Sequence, residues 1–369
     1  MNTIKIDLTQ NSYAVHIGKD LLPKLGASVC PVLKRTPTLC IVVTSPRVHK
    51  HWGNTVTESL RKSGLRFCTI VVKDDEAKKT LCNVEQILKM MAKHGADRAS
   101  VVMALGGGVI GDMAGFAASI YMRGIPVVQL PTTLLAQVDA SIGGKTGVDM
   151  VTGKNMAGTF HQPVLVLADI DTLSTLKARD YRAGIYEIIK CAIIRDPKLF
   201  NLLESKRDAI LKRDSDVLAQ IITAAVRVKA DVVMCDEREG GSRRILNFGH
   251  TIGHAIETAT GYIPFLHGEA VGLGMIAAIE IAEQTGRLEP AVASRMKNLI
   301  DFYGALPKVL VSRHRIFSLL SKDKKTVGGV PHFVLPTRIG DCEIHHEVPK
   351  ETVKRGITYI SCRKAPQKH

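Results

Sequence analysis

Ser100-Val101-Val102-Met103-Ala104-Leu105-Gly106-Gly107-Gly108-Val109-Ile110-Gly111-Asp112 is the stretch from which the architecture can be read. A short apolar run suits a strand buried on both faces. The glycines that follow turn the chain into a helix. Residues without Cβ let the backbone approach a pyrophosphate, and a helix N-terminus favours that negative charge. Gly106, Gly108 and Gly111 satisfy the spacing GxGxxG, but the acid expected about 20 residues further on is missing. Taken singly, the stretch is equally a tight strand-to-helix turn.

The flanking sequence repeats the same alternation. Ile4–Leu8 and Tyr13–Ile17 read as a hairpin joined by Thr9-Gln10-Asn11. Leu39–Thr44, Arg66–Val72, Ile125–Leu130 and Val164–Leu167 read as further strands. Val48–Lys62 reads as a helix, and Leu81, Val84, Ile87, Leu88 and Met91 give Leu81–His94 a helical spacing. Strands alternating with helices predict a doubly wound, mostly parallel sheet. Its ligand crevice is expected beyond the carboxyl ends of the strands. Near residue 175 the pattern becomes almost wholly helical, with Tyr181–Ile194, Pro197–Leu211, Val217–Met234, His250–Thr260, Glu269–Gln284 and Pro290–Phe302 as candidate helices and His332–Leu335 as a late strand. The expectation is an α/β domain over residues 1–178 and an all-helical domain over 179–369.

Composition narrows the class. Of 369 residues, 45% are hydrophobic and 23% charged, an ordinary globular mixture. Met1–Gly18 alternates polar and apolar residues and does not read as a signal peptide. The most apolar stretch, Ala270–Ile279, is too short to span a bilayer. The eight cysteines form no CxxC pair, which suits reduced thiols in the cytoplasm. A net charge of +15 favours anionic partners, yet the basic residues are scattered, with no run interleaved with aromatics. The charge reads chiefly as a solvated surface; an anionic substrate pocket is the sharper reading and depends on particular residues, while neither nucleic acid nor a membrane is expected as a partner.

Two further segments carry chemistry. Ser141-Ile142-Gly143-Gly144-Lys145-Thr146-Gly147-Val148-Asp149, followed by Gly153-Lys154-Asn155-Met156-Ala157-Gly158, reads as a long loop with lysines suited to carboxylate or phosphate. It lacks the upstream glycine of a P-loop. Asn247-Phe248-Gly249-His250-Thr251-Ile252-Gly253-His254-Ala255-Ile256-Glu257 puts two histidines at i and i+4, a spacing that can bind zinc. His267-Gly268-Glu269 follows, and Glu187 sits in the apolar helical run Gly184-Ile185-Tyr186-Glu187-Ile188-Ile189-Lys190. Three histidines within 18 positions favour a metal site over satisfied core residues, and the spacing admits His250 and His254 as a ligand pair.

Together with Gln129 through Thr146, Lys154 through Phe160, Glu187-Ile188-Ile189-Lys190, Leu246 through Glu257, His267 through Val271 and Asp323-Lys324-Lys325, these segments resemble the 3-dehydroquinate synthase family in the same order over almost the whole chain. The resemblance implies a homodimeric enzyme that uses NAD and a divalent ion, zinc or alternatively cobalt, to turn a phosphorylated seven-carbon sugar acid into a carbocycle. Transient oxidation of a carbinol acidifies the neighbouring C–H, phosphate leaves, the hydride returns, and ring opening with an internal aldol step closes the product. By motif match, Glu187, His250 and His267 are the metal ligands and His254 faces the substrate. Arg123, Lys145, Lys154, Asn155, Lys190, Lys229, Arg243, Asn247, His254 and Lys324 are the substrate-binding set, with Arg123 reaching the neighbouring subunit's site. Glu76, Lys79, Gly107, Gly108, Asp112, Thr132, Thr133, Asp139, Lys145 and Lys154 contact the cofactor. Lys145, His254, Asn247 and Asp139 carry the chemistry.

The sequence departs from the family at Thr44-Ser45-Pro46-Arg47, where Thr-Asp-x-Asn is common, and at Asp74-Asp75-Glu76, where Pro-Gly-Glu is common. An arginine near the ribose can accommodate NADP, but Glu76 at the ribose would repel a 2′-phosphate, so NAD is expected. The rivals are another sugar-phosphate cyclase, a metal-dependent polyol dehydrogenase of the same fold, which would release NADH, and a basic nucleic-acid-binding protein.

Overall fold

A computed structural model describes residues 1–151, 153–320 and 332–363. The chain forms two compact units, Met1–Lys177 with Leu218–Arg238, and Ala178–Val217 with Glu239–His369.

The first unit is built on a seven-stranded sheet. Its strands are β1 (Asn2–Ile6), β2 (Tyr13–Gly18), β3 (Cys40–Thr44), β4 (Phe67–Val71), β5 (Val101–Gly106), β6 (Val127–Pro131) and β9 (Leu165–Asp169), in the order β1-β2-β9-β6-β5-β3-β4. Only the β1–β2 pair is antiparallel. β3, β5, β6 and β9 are buried at every position, because helices cover both faces. On one face Ile41, Val43, Val102 and Ala104 pack with Val84, Ile87 and Met91 of the helix Leu81–Lys93 and with Ile110, Met113 and Ala117 of the helix Gly108–Ile120. On the other, Cys40, Val42, Val101 and Met103 pack with Leu25, Val29, Val56 and Leu60.

Leaving β3 the chain crosses to β4, and leaving β5 it crosses the opposite way to β6. The switch point therefore lies between the carboxyl ends of β3 and β5, where such sheets bind ligands.

The segment expected to be a long loop is instead an antiparallel hairpin, β7 (Lys145–Met150) with β8 (Gly153–Phe160). Val148 joins the core under the helix Gly108–Ile120, and Thr159 Oγ1 donates to Ser119 Oγ at 2.7 Å. Glycine and lysine content concealed the strand alternation. At Gly158 a Cβ would stand 2.0 Å from Thr146 O, so β7 and β8 approach closely only because that position is glycine.

The helix Ser215–Cys235, read in sequence as part of the helical domain, packs with the sheet unit over residues 218–238. Thr223 accepts from Asn2 Nδ2 at 2.9 Å, and Asp7 N donates to Met234 Sδ at 3.3 Å. The second unit holds the helices Ala178–Arg195, Pro197–Ser205, Arg207–Leu211, His250–Ala259, His267–Gln284, Pro290–Phe302, Arg313–Leu320 and Lys350–Cys362. It also carries a small antiparallel hairpin, β10 (Phe333–Arg338) with β11 (Asp341–His345). Among the described residues no helix is long and apolar enough to cross a membrane.

Candidate active site

In the sheet unit, the residues matched to cofactor contacts follow the carboxyl ends of neighbouring strands. Glu76 and Lys79 follow β4, Gly107, Gly108 and Asp112 follow β5, and Thr132 and Thr133 follow β6. Gly107 is the N-cap of the helix Gly108–Ile120 and provides no side-chain cap, which leaves the first backbone N–H groups available to an anion. At the end of β3 the Thr44 hydroxyl is fully buried and has no hydrogen-bond partner among the described residues. An uncapped helix start and an orphaned hydroxyl at the switch point both suit a bound dinucleotide.

Around this crevice the charges are interlocked. Lys79, 4% exposed, contacts Asp112 Oδ2 at 2.5 Å and donates to Asn155 Oδ1. Asn155 N donates to Asp149 Oδ1 at 2.8 Å, and Asp149 N donates to Lys79 O at 2.8 Å. Lys154 pairs with Glu76 at 3.0 Å. Burial pushes the Asp112 carboxyl up to about 6; Lys79 pulls it back, while Glu76 and Asp139 push it further up. Asp139 in turn receives Lys229, whose ammonium donates to its carboxylate and to its main-chain oxygen. Lys145 is exposed at the start of β7.

Arg47 is engaged with the main chain of the sheet unit. Ser45 Oγ caps the short helix that Pro46 opens, and Arg47 Nη2 donates to Thr175 O at 3.2 Å. Arg123 is exposed on a left-handed turn, with φ of 51° at Met122 and 69° at Arg123.

In the helical unit, three helices meet closely enough to bring Glu187, His250 and His267 together. Gly268 permits one approach, because a Cβ there would sit 2.0 Å from Ala183 O. Gly249 takes φ of 78° just before His250, and a Cβ on Gly274 would stand 1.8 Å from Gly249 O. Glu187 Oε1 lies 3.7 Å from His250 Nε2 and 3.8 Å from His267 Nε2. These separations are too long for hydrogen bonds. They suit three ligand atoms that each stand about 2.0–2.2 Å from one tetrahedral ion. The Glu187 side chain is 1% exposed, and neither oxygen accepts a hydrogen bond among the described residues, although Lys190 stands against Oε2 as an ion pair. His250 Nδ1–H donates to Phe248 O at 3.1 Å, the tautomer in which Nε2 carries the lone pair a metal ion requires. The donor set and its geometry fit a divalent ion.

His254 belongs to a different group, with Glu257 and His267, while Glu187, His250 and His267 form the first. The ligand pair that i,i+4 spacing admitted is thus not the one the folded chain assembles with an acid. Arg243 is buried and Asn247 half-buried, in the turn just before His250. Lys324 lies outside the described residues. Glu257 was part of the histidine stretch but had no role assigned in the sequence reading; its place at i+7 from His250 was the available signal. Arg179 was missed entirely. Its guanidinium grips Glu269 with two bonds of 2.7 Å, and Glu269 accepts from Leu266 N at 2.9 Å, fixing the turn that opens onto His267.

One unit suited to a dinucleotide and another suited to a divalent ion define a class of metal-assisted, nucleotide-dependent enzymes. Residues 69–183 match the 3-dehydroquinate synthase N-terminal family and residues 184–326 the 3-dehydroquinate synthase C-terminal family. The 3-dehydroquinate synthase of Koribacter versatilis is 49% identical over 358 residues, 97% of each chain. Among solved structures, 2-epi-5-epi-valiolone synthase from Streptomyces hygroscopicus subsp. jinggangensis, with NAD+ and Zn2+ bound, is 30% identical with a TM-score of 0.87 over 96% of this chain and 98% of that one. A 2-deoxy-scyllo-inosose synthase complexed with carbaglucose-6-phosphate, NAD+ and Co2+ is 25% identical with the same TM-score of 0.87, over 96% and 99% of the two chains. The chain belongs to the 3-dehydroquinate synthase family.

Proposed function

We infer that the chain converts 3-deoxy-D-arabino-heptulosonate 7-phosphate to 3-dehydroquinate and phosphate, with NAD and zinc as cofactors and cobalt as an alternative ion. The choice of substrate rests on the family. The metal-assisted reading rests on one observation: a buried Glu187 carboxylate that accepts no hydrogen bond among the described residues and stands 3.7 and 3.8 Å from two histidine Nε2 atoms.

Glu187, His250 and His267 would hold the ion; Gly107, Gly108, Thr132, Thr133, Asp112, Lys79 and Glu76 would hold the dinucleotide. The chemistry these bound groups supply is acceptance and return of a hydride and polarisation of the carbinol oxygen that loses it. The side chains bind, orient and move protons. In the sheet unit Lys145, Lys154 and Asn155 present cations and an amide to the substrate's phosphate and carboxylate. In the helical unit Lys190, Arg243 and Asn247 offer donors of the same kinds, and a substrate fixed in one geometry by such groups passes through successive steps as unimolecular ones. His254, with its ring centroid 5.3 Å from that of His250, is the proton carrier. Asp139, held by Lys229, stands beside the cofactor residues.

The assembly we propose is a cytoplasmic homodimer in which Arg123 reaches the partner's substrate. Its support is the exposure of Arg123 on a left-handed turn close in sequence to exposed Ile120 and Met122. Removing divalent ions with a chelator abolishes turnover, and zinc or cobalt restores it. Full activity in thoroughly metal-stripped protein would refute the reading.

A further inference from the structure

The helix His250–Ala259 carries His250, His254 and Glu257 at i, i+4 and i+7, one stripe along a single face. Glu257 is 3% exposed, and its Oε1 stands 3.5 Å from His267 Nδ1. The opposite nitrogen of the same ring, Nε2, is the one that faces Glu187. The other candidate ligand ring has the same division of labour, with Nδ1 on Phe248 O and Nε2 toward Glu187. The two rings differ in what faces Nδ1: a neutral carbonyl oxygen at 3.1 Å for His250, a buried carboxylate oxygen at 3.5 Å for His267.

We propose that Glu257 is the positioning residue for His267. Its carboxylate accepts the Nδ1 proton, fixes the tautomer that bares Nε2, turns the ring toward Glu187, and makes the imidazole a stronger donor to a cation. The inference rests on the reading of Glu187, His250 and His267 as ligands. Charge supports it. Glu187 and Glu257 are both buried carboxylates, one facing Nε2 and the other Nδ1 of the same His267 ring, an arrangement that suits an imidazole donating Nε2 to a cation. The competing use of the same atoms is a second ion held by His254, Glu257 and His267. That arrangement would strip the Nδ1 proton from His267 and put two ions on one ring.

The test is a metal titration of the full chain. Wild type, Glu257→Gln, Glu257→Ala and Glu187→Gln are freed of metal and titrated with zinc against a chromophoric chelator, and with cobalt by its visible absorption. Thermal melting of each metal-free variant checks the fold, and the near-isosteric glutamine variant covers the case in which the alanine variant does not fold. The expected result is one ion per wild-type chain and an affinity about 10–100-fold lower in Glu257→Gln, with stoichiometry unchanged and the cobalt spectrum altered. Wild-type affinity in Glu257→Gln, alongside loss of binding in Glu187→Gln, would overturn the positioning role and leave the ligand assignment standing. Undiminished binding in Glu187→Gln would overturn the ligand assignment beneath it. Two ions per wild-type chain falling to one in Glu257→Gln would show Glu257 as a ligand and also overturn the proposal.

Discussion

Replacing Lys79 with methionine removes the cation that stands 2.5 Å from Asp112 Oδ2. Asp112 titrates at about 6 against an ordinary value of 3.8, because burial opposes its charge more than Lys79 favours it. The native state therefore holds this proton more tightly than the unfolded chain. The stability it contributes is full below about pH 4 and is lost as pH rises through about 6, a change of about 3 kcal/mol. Without Lys79 the carboxyl rises further, since burial, Glu76 and Asp139 all push it the same way. At pH 5 Asp112 is mostly protonated with or without Lys79, so the variant loses only hydrogen bonds, about 1–3 kcal/mol. At pH 8 the wild type keeps an ion pair, whereas the variant must retain a proton or bury a bare charge. Two pH units above about 6 set a ceiling of about 3 kcal/mol on the additional loss, and about 2 kcal/mol is expected. The single tryptophan, Trp52, reports on the sheet unit, where its Nε1 donates to Thr175 Oγ1 at 3.1 Å. Urea unfolding of the cofactor-free protein, followed by Trp52 fluorescence at pH 5 and pH 8, measures the difference. A loss equal at both pH values, or greater at pH 5, would refute the reasoning.

His254→Ala is expected to retain its metal, measured as bound zinc per chain, while turnover falls about 10²–10⁴-fold; loss of the metal would make His254 a ligand. Gly274→Ala forces apart the helices His250–Ala259 and His267–Gln284, because the new Cβ would stand 1.8 Å from Gly249 O. The expected cost is about 3 kcal/mol or more, seen as a lowered melting temperature together with weakened zinc binding, and an unchanged melting curve would contradict the close crossing. Arg47→Ala leaves the preference for NAD over NADP unchanged, because Arg47 is spent on Thr175 O; better turnover of the wild type with NADP would overturn this.

The parallel sheet was legible because strands buried on both faces are continuous apolar runs, as in Val101–Leu105, and because the glycines after β5 sit where a helix begins. The hairpin Lys145–Phe160 was not legible. Its strands are rich in glycine for close approach rather than for turning, and its buried positions include Thr146 beside Val148. The side of the molecule on which Ser215–Cys235 packs was hidden for a different reason. An amphipathic helix states which face is apolar, not which unit supplies the partner surface. In the helical unit the histidines were visible by spacing, but spacing favoured neighbours on one helix. The acid that joins His250 and His267 comes from another helix, 63 positions before His250 in the chain. Glycines 249, 268 and 274 are what bring those helices into contact, and their role becomes visible only when a Cβ is tested against the packed backbone.

The central claim is tested most directly by incubating the zinc-loaded protein with 3-deoxy-D-arabino-heptulosonate 7-phosphate and a sub-stoichiometric amount of NAD, then identifying the products. The account predicts 3-dehydroquinate and phosphate in equal amounts, many turnovers per NAD, and no steady build-up of NADH. Stoichiometric NADH, or a different cyclic product with none of the dehydroquinate, would contradict it.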